Sequence, residues 1–104
     1  MKNLCVESVL RQLRREFPPL LPTKVFWRDL SSKDYCGLCE IVRNAEGNRF
    51  KIVIHKFKNP ILRIHFLIHE WAHSISWQES DEVPDHGVEW GLALSRIYSK
   101  IMED

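Results

Sequence analysis

The sequence predicts an α+β domain: an N-terminal helix, a small three-stranded antiparallel sheet, and two further helices. Three observations predict it. Apolar residues recur at helical spacing near the start of the chain and again through its last third. They alternate with polar residues in the middle. Prolines and a polar turn mark the breaks between these patterns. With 104 residues, 44% hydrophobic and 28% charged, the chain suits one domain covering residues 1–104.

The first helix is expected over about residues 2–17, where Leu4, Val6, Val9, Leu10, Leu13 and Phe17 form one apolar stripe. The segment FPPLLP ends it, because consecutive prolines cannot continue a helix. KVFWRD (24–29), YCGLCEIVR (35–43) and RFKIVIH (49–55) read as strands, and NAEGN (44–48) as a hairpin turn. Phe50, Ile52 and Ile54 fall on one face of the third strand. Consecutive strands in this order suggest an antiparallel meander. Pro60 is well placed to open a second helix running to about Trp77. The polar run 78–84 should be a loop. Asp85 is a suitable N-cap for a third helix over about residues 86–102.

The net charge of +1 gives no overall pull toward nucleic acid or an anionic membrane. Arg11, Arg14, Arg15, Lys56, Lys58 and Arg63 are basic, but they read more simply as solvated faces. No stretch approaches the roughly 18 apolar residues of a membrane-spanning helix. The N-terminal segment lacks the apolar run of a signal peptide, so a cytoplasmic location and no membrane partner are expected. An odd number of cysteines, three, argues against a disulfide framework. Cys36 and Cys39 form a lone CxxC within a predicted strand, where residues three apart face opposite sides, so a zinc or redox role is not expected of them.

The chemistry is concentrated in LIHEWAHSISW (67–77). His69-Glu70-Trp71-Ala72-His73 matches H-E-x-x-H. Histidines four apart on a helix lie on one face, so both imidazoles can reach one Zn²⁺. Glu70, beside the first of them, can act as general base toward water at the metal. The competing reading is a pair of hydrogen-bonded core histidines, which would leave buried polar groups in need of partners. A catalytic zinc usually has three protein ligands. His86, in DHGVEWG, is the best third, because the positions that follow it at helical spacing are mostly apolar and face inward. Glu89 and Asp85 compete for that role, Asp85 also as a cap or as an orienting partner of a histidine. His65 lies one turn before His69 and reads as a wall of the site. Trp27, Trp71, Trp77 and Trp90 could line a cleft but read mainly as core. Tyr35, Tyr98, His55 and Arg96 could each steady a developing oxyanion, and nothing selects among them.

HEWAH followed by DHGVEWG resembles the SprT-like (Spartan-type) zinc metallopeptidases. Members of that family carry HExxH and, after a short loop, an HGPEF- or HGPEW-like segment. Here the segment is HGVEW, with Val88 where the family has proline. The resemblance covers about residues 60–98 and implies a minimal zincin-like domain. By it, His69, His73 and His86 hold one zinc ion and Glu70 is the general base. The implied activity is metalloendopeptidase hydrolysis of a protein or peptide substrate through zinc-activated water. A bacterial or phage source is implied too. The metzincin pattern fits less well, since Ser76 and Glu79 stand where it has glycine and histidine. Two other readings stay open: a zinc-stabilised binding or regulatory module, and a DNA-associated accessory protein using the basic groups.

Overall fold

The computed structural model describes residues 4–78 and 86–102. Within them the order is α1 (Val6–Glu16), β1 (Thr23–Arg28), β2 (Gly37–Val42), β3 (Arg49–His55), α2 (Pro60–Ile75) and α3 (Val88–Met102). This is an α+β arrangement of three helices and a three-stranded sheet. The expected loop over 78–84, apart from Gln78, and the Asp85 cap lie outside the described residues. No helix in the described part is long and apolar enough to cross a membrane.

α1 starts at Val6, later than the apolar stripe suggests, because Cys5 is extended. Val9 and Leu13 are buried one turn apart, and Phe17 continues the same face beyond the helix end. The Trp71 indole N–H donates to the Phe17 carbonyl at 2.8 Å. That bond satisfies an acceptor freed where the helix stops and ties α1 to the middle of α2.

The sheet is mixed, and its order is β1-β3-β2. β1 pairs parallel to β3, while β2 pairs antiparallel to it. The expected antiparallel meander is therefore wrong at its first step. The reason lies in burial and in loop length. β3 is the most buried strand, with Phe50, Ile52 and Ile54 all essentially inaccessible, and it takes the central place. β2 carries Gly37 and Glu40 and lies at an edge. Residues 29–36 pass the end of β3: the Leu30 N–H donates to His55 Nδ1 at 2.9 Å, and the Lys56 N–H to the Arg28 carbonyl at 2.9 Å. Skipping one strand requires the chain to move about 10 Å across the sheet, easy for a loop of this length. The hairpin between β2 and β3 turns where expected. Asn44 Oδ1 accepts from the Glu46 N–H at 3.0 Å, and Gly47 takes a φ of +129° that other residues avoid.

α2 opens at Pro60 with Asn59 as its cap, Oδ1 accepting from the Ile61 N–H at 2.8 Å. It ends at Ile75, two residues short of the expected Trp77, and Ser76 Oγ donates back to the Ala72 carbonyl at 2.7 Å. Leu67, Ile68, Trp71 and Ala72 are fully enclosed between the sheet, α1 and α3. Ala93, Ile97 and Ile101 supply the matching stripe of α3. α3 begins at Val88 rather than His86. His86 sits in the turn just ahead of it, and the Gly91 N–H donates to the Gly87 carbonyl at 3.0 Å.

Candidate metal centre

His69 and His73 project from one face of α2, one turn apart, with ring centroids separated by 5.3 Å. The turn before α3 brings His86 over the same face, 5.1 Å from the His69 ring and 4.9 Å from that of His73. One ring nitrogen from each of the three histidines lies within 4.8 Å of the others, so the group could hold a metal ion. His86 Nε2 and His69 Nε2 are 3.2 Å apart. Two nitrogens bound tetrahedrally to zinc at its usual bond length lie about 3.3 Å apart, so the spacing suits such an ion. The donor set is also suitable, since neutral imidazole is a common zinc ligand.

Glu70 lies beside this cluster on the buried side of the helix and is only 5% exposed. Its Oε2 is 3.9 Å from His69 Nε2. The helix explains the split. His69 and His73 share a stripe at the border between core and solvent, while position 70, about 100° further round, faces β2. A carboxylate thus enters the site from below the imidazoles.

Trp90 holds the assembly together. Its indole N–H donates to the His69 carbonyl at 3.3 Å, and its ring stacks on His73 at 5.5 Å. It meets His69 and His86 edge-on at 5.0 and 4.6 Å. Trp90 packs against the core, as expected, and also touches all three histidines. Its spacing four residues after His86 was the available signal.

No protein-family model, curated protein or solved structure matches the chain. The site is therefore read from its own geometry.

Other candidate residues lie elsewhere. Glu89 lines a separate cleft of about 520 Å³ with Arg96, Leu92 and Trp77, and is not among the clustered donors. Asp85 is outside the described residues. His65 lies off the cluster and pairs instead with Tyr98, Nδ1 to Oη 2.6 Å. Burial raises the pKa of the Tyr98 hydroxyl, which keeps it protonated and able to donate to His65. His55 is engaged at the end of the sheet by Leu30, and Tyr35 is exposed between β1 and β2. Arg14 donates to the Thr23 carbonyl at 3.0 Å and lies over the Trp71 ring, and Arg63 donates to the Phe57 carbonyl. Two of the basic groups are thus spent on the fold. No disulfide joins the three cysteines; Cys36 is exposed and Cys39 packs against the core.

Proposed function

We propose that the protein is a zinc-dependent metallopeptidase of minimal zincin type, with His69, His73 and His86 as ligands and Glu70 as general base. The observation that carries this reading is the pairing of three clustered imidazoles with one nearly buried carboxylate 3.9 Å from His69 Nε2. A site built only for stability has no use for an acid placed there, because burying it costs free energy. The resemblance of HEWAH and HGVEW to the SprT-like pattern points the same way.

A bound zinc would supply Lewis acidity, polarising the scissile carbonyl and acidifying water. Glu70 accepts the proton of the attacking water and passes it to the leaving amine. Trp90 fixes the orientation of α2 against the turn that carries His86, keeping the imidazoles at their spacing. An extended peptide substrate could pair along β2, which is an edge strand of the sheet among the described residues. The test compares wild type with Glu70→Gln, both zinc-loaded, on an unfolded protein substrate. Cleavage by wild type alone supports the reading, with a loss of at least about 100-fold in the variant. Equal residual activity in both would refute Glu70 as the base. Equal zinc with no cleavage by either would leave a binding module.

A further inference from the structure

We infer that Gly37 is a positioning residue for Glu70: its missing side chain is the space in which the carboxylate lies. A Cβ built on Gly37 would sit 2.7 Å from Glu70 Oε2, 3.2 Å from Cγ and 3.3 Å from Cδ. The closest of these is shorter than real Cβ contacts allow, and all three belong to the one side chain. Gly37 does not take a positive φ, so its backbone would accept any residue. Space, not backbone conformation, makes glycine the residue that fits.

The strand register explains the juxtaposition. Gly37 lies opposite Ile54 and Cys39 opposite Ile52, so alternate residues of β2 face the buried side with α2. A side chain at position 37 would extend that apolar row. Its absence leaves room for the Glu70 carboxylate against the edge strand. Glycine within a strand gives up packing and chain entropy. Here it gives room to a nearly buried carboxylate that stands 3.9 Å from His69 Nε2.

This inference rests on the peptidase reading, and the experiment separates the two. Gly37→Ala should bind zinc as wild type does, because the atoms nearest the new methyl all belong to Glu70 and not to a ligand. It should lose about 10- to 100-fold in kcat with KM little changed, the scale expected when a catalytic group is displaced by about 1 Å. In a Glu70→Asp background the shorter side chain withdraws from position 37, and adding Gly37→Ala should cost at most about threefold more. Thermal unfolding of the metal-free proteins gives a readout independent of hydrolysis. Gly37→Ala should lower Tm when residue 70 is Glu, and leave it unchanged or raise it in Glu70→Ala. Full kcat in Gly37→Ala would overturn the inference, as would equal Tm shifts in both backgrounds. If wild type hydrolyses nothing, the peptidase reading fails by itself, and the Tm cycle still decides whether Gly37 and Glu70 compete for one space.

Discussion

The two faces of α2 are held by different physics. One face, Leu67, Ile68, Trp71 and Ala72, is sealed against the sheet, α1 and α3. The other carries His69 and His73, half-buried, under an exposed His86. The first face is non-directional and tolerates no water. The second depends on direction, since three nitrogens must converge on one point. One helix can serve both because 3.6 residues per turn interleave the two sets without mixing them. On this reading folding can be complete before any metal arrives, and the site face would then gain stability from an ion held there.

That contrast can be broken from the core side first. Trp71→Ala removes the largest enclosed side chain and the bond to Phe17. It should cost about 3–5 kcal/mol in denaturant unfolding, by the same amount with and without zinc. A much smaller loss would mean that the metal, not the core, holds α2. From the site side, His73→Ala should leave metal-free stability nearly unchanged. It should abolish the stabilisation that zinc gives wild type, about 2.7 kcal/mol at a hundredfold excess over Kd. A chelator should return wild type to the same value.

The smallest expected effect lies between the two helices, at His65 and Tyr98. Tyr98→Phe removes one partly solvated hydrogen bond and should cost about 0.5 kcal/mol. Its pH dependence has a defined sign. Burial raises the Tyr98 pKa in the folded state, so the stabilisation it contributes is complete below the ordinary tyrosine value near 10. It is lost as pH rises from there through the folded-state value. Unfolding of Tyr98→Phe should accordingly fall off less steeply in that alkaline range than wild type.

The sequence made some of these features legible and not others, for physical reasons. β3 and the start of α2 fall where expected, because alternation over 49–55 and Pro60 are local signals. Strand order is not local. KVFWRD carries no mark telling it to pair with RFKIVIH rather than with YCGLCEIVR, and the meander assumption failed there. The H-E-x-x-H spacing identifies a face of a helix by itself, whereas bringing His86 onto that face depends on how α3 packs. The glycine of CGLC was visible, and a glycine inside a strand often marks a close approach. What approaches it, Glu70, lies 33 residues away in sequence and becomes a neighbour only when β2 packs on α2.

The most direct test of a three-histidine metal centre is zinc stoichiometry in matched variants. Purified wild type should bind about one zinc per chain, as three imidazoles at one point imply. His69→Ala, His73→Ala and His86→Ala should each lose most of that affinity, while Glu89→Ala keeps it. Undiminished zinc binding in His86→Ala, or its loss in Glu89→Ala, would contradict the account.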